Sequence, residues 1–300
     1  MDIFLRSVGF TRTKFFEKID QIKKEVIEAP DKRVIFGCGE EGTYVEYYKM
    51  YGEGIGVLVR GIMDDDENVT VESCEAFATM EEDIAVNKFI VEFVNNQPVI
   101  VFEDIGTGNE LVFSLQNKID YFRDEQGFID FGRSVLFTQE RGIEKRKVNF
   151  CAMSVYGAII LPVYKDIQED VEFSEDEAYY KSLVLRFKEG DDEAEEMLKI
   201  YAEETSYVIS ERLKDEDLLS VVEGYFLPME DNETDYSVLG EIVALDRTFN
   251  EATGEEVIKL TLDITGSCIQ LLINSRDLTG YPMLGMRFMG TCHLRGSVVI

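Results

Sequence analysis

Short apolar runs broken by turn signals fill the chain from Arg33 to Val163. Val34–Phe36, Ile55–Met63, Phe89–Val94, Pro98–Glu103, Leu111–Leu115, Ser134–Phe137, Val148–Val155 and Ala158–Tyr164 have the length and the β-branched and aromatic content of strands. The links Asn95–Gln97 and Ile105–Glu110 are too short for parallel crossovers, which need a dozen or more residues. The spacing therefore predicts hairpins in a mainly antiparallel sheet. Ahead of it, Phe15, Ile19, Ile22 and Val26 recur at helical spacing, with Thr13 as N-cap and Pro30 as stop. That helix, Thr13–Ala29, is expected to pack on the sheet. A further, ambiguous helix falls near Leu115–Arg123.

The period changes over residues 174–214. Ser174 and Glu177 form a capping-box pattern, and Gly190 is a helix stop. Asp191, Asp192 and Glu193 then suit the positive end of a second helix. Strand patterns return at Ser237–Leu245, Glu256–Ile264, Cys268–Ile273, Met286–Leu294 and Ser297–Ile300. Tight turns at Thr253–Gly254 and Thr265–Gly266 join the first three, and the longer Asn274–Gly285 separates the third from the fourth. This is the strand rhythm of a small OB-like barrel. The expected class is α+β: an N-terminal domain with a mainly antiparallel sheet and packed helix (1–165), an acidic helical connector (166–217), and a C-terminal β-rich, OB-like domain (218–300).

Composition narrows the function classes. Apolar residues are 45% and charged residues 30% of 300, the balance of a folded chain. The 60 acidic against 30 basic residues give a net charge of −30, which repels phosphate backbones and anionic lipid surfaces. Neither nucleic acid nor membrane is an expected partner. The acidity is uneven: residues 166–235 hold 24 acids and 6 bases, residues 236–300 only 7 and 5. Five cysteines without a CxxC spacing argue against a disulfide framework or a zinc site and fit buried thiols in a reducing, cytoplasmic setting. The N-terminus lacks the order of a signal peptide, and no apolar run approaches the ~20 residues of a membrane span. With His293 as the only histidine, His-based triads and multi-histidine metal sites are excluded outright. A Cys292–His293 dyad fails too, because adjacent strand residues face opposite ways.

Three stretches carry candidate chemistry. Gly37, Gly39 and Gly42 make a GxGxxG after the Val34–Phe36 strand. Followed by a helix over Thr43–Gly52, it would cradle a dinucleotide pyrophosphate. Glu40 and Glu41 oppose that, and the plainer reading is a Gly-rich turn. Asp64, Asp66, Asn68, Glu72 and Glu75 fall at EF-hand positions 1, 3, 5, 9 and 12, but Val69 stands where the loop needs glycine. The plainer reading is an acidic hairpin turn. Arg141, Lys145, Arg146 and Lys147 form a basic cluster that could hold an anion or partner, or be a solvated tip.

Phe4–Phe10, Gly54–Gly61, Gly157–Val163 and Tyr236–Ile242 together resemble a family of uncharacterised clostridial proteins, a domain of unknown function. The resemblance implies a bacterial cytoplasmic protein and brings no activity or site residue with it. With no catalytic constellation legible and no cofactor implied, the expectation is a non-enzymatic binding or protein-interaction protein with an unidentified protein partner. The alternative is a nucleotide-dependent enzyme built on Gly37–Gly42.

Overall fold

A computed structural model describes residues 2–11, 19–37, 42–80, 83–94, 97–103, 110–124, 146–162, 190–200, 218–230, 232–264 and 266–300, with isolated residues between 179 and 207. Strands dominate these residues, in two sheets. The smaller joins β1 (Lys32–Gly37), β2 (Thr43–Gly52), β3 (Ile55–Met63) and β4 (Val69–Ala78) as successive antiparallel hairpins. Its central strand β3 is buried over its first seven residues. Ile55, Val57 and Val59 pack on one side with Leu5, Val8, Ile22 and Val26. Leu58 packs on the other with Val34, Tyr48, Phe77 and Ile119. A sheet covered on both faces has no polar side to alternate with, which explains the unbroken apolar run. Helix α1 (Ile19–Glu28) covers the first face through Ile22 and Val26. Thr13, its expected cap, lies outside the described residues. A second helix, α2 (Lys118–Asp124), stands where the ambiguous one was expected and brings Ile119 to the other face.

The larger sheet is mixed. It contains β5 (Ile84–Val94), β6 (Gln97–Glu103), β7 (Glu110–Leu115), β8 (Arg146–Ile160), β9 (Tyr225–Met229), β10 (Asn232–Phe249), β11 (Glu256–Ile264), β12 (Ser267–Asn274), β13 (Leu278–Thr279) and β14 (Arg287–Val298). Most neighbours are antiparallel, but β12 and β13 pair in parallel with β8, and β14 with β7. Strands from both sides of the acidic 166–217 stretch thus share one sheet and one apolar core. Residues 192–200 within that stretch are helical; Ser174 and Glu177 lie outside the described residues.

Three expectations need correction, and all turn on how glycine and aromatic residues read in a strand. Val148–Val155 and Ala158–Tyr164 are one strand, β8, not two. Gly157 does not punctuate it: a Cβ there would lie 2.2 Å from Cε2 of Phe288, so glycine lets the neighbouring strand's ring approach. Likewise Met286–Leu294 and Ser297–Ile300 merge into β14, where a Cβ on Gly296 would meet Cβ of Phe150 at 2.6 Å. Thr43–Gly52, the helix required by the dinucleotide reading, is strand β2. Its content of Tyr44, Val45, Tyr47, Tyr48 and Tyr51 suits a pleated, half-buried surface.

The N-terminal residues are fastened to the C-terminal strands. Asn250 Nδ2 donates to the carbonyl of Val8 at 2.8 Å, and Thr253 Oγ1 donates to that of Gly9 at 2.7 Å. Arg287 donates to the carbonyls of Leu161, Val222 and Leu219 at 2.9, 2.8 and 2.6 Å, which ties α3 (Leu218–Val221) to the ends of β8 and β14. Among the described residues no helix is long and apolar enough to cross a membrane. Cys74, Cys151 and Cys292 are buried free thiols as expected, whereas Cys268 is exposed.

Candidate functional site

Of the residues that sequence spacing grouped, Asp64, Asp66 and Asn68 share one turn and Glu75 stands apart from them. Gly37 ends β1 and Gly42 precedes β2, with Gly37 paired to Thr43 across an antiparallel hairpin; Gly39 lies outside the described residues. The glycines therefore open onto a strand and not onto a helix N-terminus, the element whose free N–H groups would receive a pyrophosphate. Asp64 builds the β3–β4 turn. Its Oδ1 accepts from the backbone N–H of Asp66 at 3.0 Å and of Asn68 at 2.8 Å. The Asn68 side chain and these amides hold the Asp64 carboxyl below its usual range. Glu75 stands six residues into β4 from Val69, about 20 Å along an extended strand. There its Oε2 accepts from Arg60 Nη1 at 2.5 Å. Asp64 and Glu75 thus belong to different local structures, and no group of three metal-ligating side chains forms among the described residues. Of the basic cluster, Arg141 and Lys145 lie outside the described residues; Arg146 and Lys147 open β8 beside Val86 and Ala85, with Lys147 exposed.

Two arrangements that spacing did not reveal are present instead. The first is a groove of about 200 Å³ across β10, β11 and β12. Asp246, Lys259, Thr261 and Gln270 contribute polar groups, and Thr79 and Met80, just past β4, form its wall. Asp246 and Lys259 are cross-strand partners but make no ion pair. Among the described residues the side chains of Lys259, Thr261 and Gln270 engage no hydrogen-bond partner. Polar side chains that are only partly exposed and uncommitted can serve a ligand without first breaking an internal bond.

The second is a continuous polar layer between the sheets. Arg60 donates to Glu46 at 2.9 Å, to Glu75 at 2.5 Å and to the carbonyl of Gln116 at 2.6 Å. Tyr48 Oη donates to Glu46 at 2.8 Å. Burial opposes the charge on Glu75, but Arg60, helped by Lys118 and Arg295, holds its carboxyl well below the usual range. Burial, reinforced by Arg60, pulls the Lys118 ammonium down to about 7. Nearby, Arg295 donates to Asp2 at 2.7 and 2.9 Å and to the carbonyl of Ala76 at 2.9 Å, closing the edge of β4. Buried groups left over are the Gln116 side-chain amide and Arg295 Nε, which have no hydrogen-bond partner among the described residues.

At the end of this layer lies His293. Its Nε2 is 3.0 Å from Ser114 Oγ, and its Nδ1 is 2.5 Å from Asp235 Oδ1 and 3.2 Å from Thr234 Oγ1. A single histidine does not by itself exclude a His-based triad, because one imidazole is all such an array needs. Cys292 faces the opposite, apolar side, as adjacency required. The signal available in the sequence was a lone histidine in a strand. Its partners come from positions 114 and 235, and only strand pairing brings them together.

No curated protein and no solved structure matches this chain. Residues 5–296 match the family described as "Domain of unknown function, E. rectale Gene description (DUF3881)", and the chain belongs to that family.

Proposed function

We propose that this chain is a binding protein whose ligand occupies the groove over β10, β11 and β12. The observation that carries the reading is the set of uncommitted polar side chains, Lys259, Thr261 and Gln270, directed into a groove of about 200 Å³. The volume suits a small ligand, below the usual range of drug-sized pockets. The Lys259 ammonium and the Asp246 carboxylate, beside an amide and a hydroxyl, favour a compact ligand that carries a carboxylate and a donor group of its own, with Gln270 and Thr261 reading its hydrogen-bonding groups. The net charge of −30 argues against an oligonucleotide.

Strand pairing supports the same reading. β10 pairs with β11 and β14, β11 with β12, β12 with β8, and β8 with β14. Followed in turn, these pairings return to their start, which supports the reading of a five-stranded OB-type barrel with β8 as the fifth strand. Apolar side chains of all five strands, including Phe150, Val238, Leu260, Leu271 and Leu294, join one buried cluster that would fill it. OB barrels hold ligands on the face of their second and third strands. Counted from β10 those are β11 and β12, which floor the groove.

Thermal unfolding with millimolar small carboxylates tests this. A ligand at 100 times its Kd stabilises by about 2.7 kcal/mol and raises Tm visibly. The expected result is a rise for at least one carboxylate in the native chain that disappears in Lys259→Met. A panel giving no rise, or a rise that Lys259→Met leaves intact, removes the groove as the site.

A further inference from the structure

His293 sits where β14 exchanges one neighbour for another. Along Arg287–His293 its partner is β10, and at Arg295–Gly296 it is β7. Asp235 arrives from the first neighbour, directly opposite His293, and Ser114 from the second, opposite Arg295. Three strands distant in sequence thereby place a hydroxyl, an imidazole and a carboxylate in one hydrogen-bonded line.

We propose that Ser114 is the nucleophile of an acyl-transfer site, with His293 as its general base and Asp235 as the group that orients the imidazole. The partners define the tautomer. An ionised Asp235 can only accept, so Nδ1 carries the hydrogen directed at its Oδ1, 2.5 Å away. Thr234 Oγ1 donates to Asn232 Oδ1 at 3.0 Å, so its oxygen faces the same N–H as an acceptor. Nε2 is then bare and accepts from the Ser114 O–H at 3.0 Å. This is the nucleophile–base–orienter relation that activates a serine. Phe4 stacks on the imidazole with ring centroids 4.8 Å apart, and Arg295 lies over Phe4 at 5.4 Å, so the ring is held in this plane.

Access and charge stabilisation fit the role. Ser114 is only partly buried, and the Asp235 side chain is 30% exposed against 9% for His293, so the line opens to solvent at both ends. Arg295 is the register partner of Ser114, which sets these two side chains on one side of the sheet, and Gln116 follows directly past the end of β7. The Gln116 amide and Arg295 Nε are buried and without partners among the described residues, uncommitted donors that a bound acyl group would have to uncover to meet its oxyanion. In the reaction Oγ bonds to the acyl carbon of an ester as its proton passes to Nε2. The bond from that carbon to the alkoxy oxygen breaks, and the departing alcohol takes the proton from Nε2. Water, deprotonated by the same nitrogen, then releases the acid and restores Ser114. The groove over β10–β12 plays no part in this chemistry, so the two proposals fail separately.

The test is covalent labelling of the full chain with a fluorophosphonate and mapping of the adduct by peptide mass spectrometry. Native protein is expected to be modified at Ser114, and heat-unfolded protein is not. Ser114→Ala abolishes the adduct, and Asp235→Asn slows its formation about 10²-fold or more. Absence of a Ser114 adduct in protein that unfolds cooperatively overturns the assignment. So does an unchanged rate in folded Asp235→Asn, because a merely structural hydrogen bond would leave serine reactivity alone.

Discussion

Lys118 shows what a buried polar layer does to one residue. Its side chain donates to Gln97 from a site shared with Arg60 and Arg295, so burial and two guanidinium groups disfavour its charge. The folded-state value is about 7 against an ordinary value of 10.5, so between these limits the unfolded chain binds more protons than the native one. Stability contributed by this group therefore rises with pH across that window. Unfolding of the native chain and of Lys118→Met, compared at pH 6.5 and pH 9, should show the native chain gaining relative to the variant. Parallel pH profiles would mean that the ammonium is solvated. Arg60 illustrates the opposite case. It remains charged because Glu46 and Glu75 meet it on two sides, and removing a partner from such a buried set typically costs about 3–5 kcal/mol. None of this is visible in composition: 90 charged residues conceal the few that are buried.

Elements were the most legible scale. Runs at Ile55–Met63, Pro98–Glu103, Leu111–Leu115 and Glu256–Ile264 correspond to β3, β6, β7 and β11, because β-branched and aromatic residues declare themselves locally. Glycine misled where its reason is tertiary. Gly157 and Gly296 look like turns in the sequence and are points where strands β8 and β14 press together. Gly157→Ala should thus cost about 1–3 kcal/mol in a urea melt, the range for forcing extra volume into a packed core. A loss below a few tenths of a kcal/mol would show that the Phe288 ring moves aside freely.

For the whole molecule, the decisive contacts are long in sequence. β8 lies before the acidic stretch and pairs with β12 and β14, which lie after it. A fragment of residues 218–300 would leave the long pairing edge of β14 open and expose the apolar residues that Phe150, Ala152 and Ile159 now cover. The fragment is expected to lack dispersed amide resonances in a proton–nitrogen NMR spectrum, whereas the full chain shows them. A well-dispersed fragment spectrum would establish that β10–β14 close without β8. The same long-range pairing explains the candidate sites. The groove joins residues of β10, β11 and β12 to Thr79 and Met80, and the serine–histidine–aspartate line spans positions 114 to 293.

By itself the sequence determined most strands, the α1 and α2 positions, the family, and the net charge of −30. Each follows from local composition, local periodicity or summed charge, quantities that need no partner residue. Tertiary structure alone decided that Thr43–Gly52 pairs as a strand between β1 and β3, that the large sheet is mixed, and that Asp64 and Glu75 serve separate purposes. It also decided that the single histidine meets Ser114 and Asp235. The physical reason is common to all four: a side chain's neighbours across a sheet are set by register, and register between distant strands is fixed by the packing of the whole core.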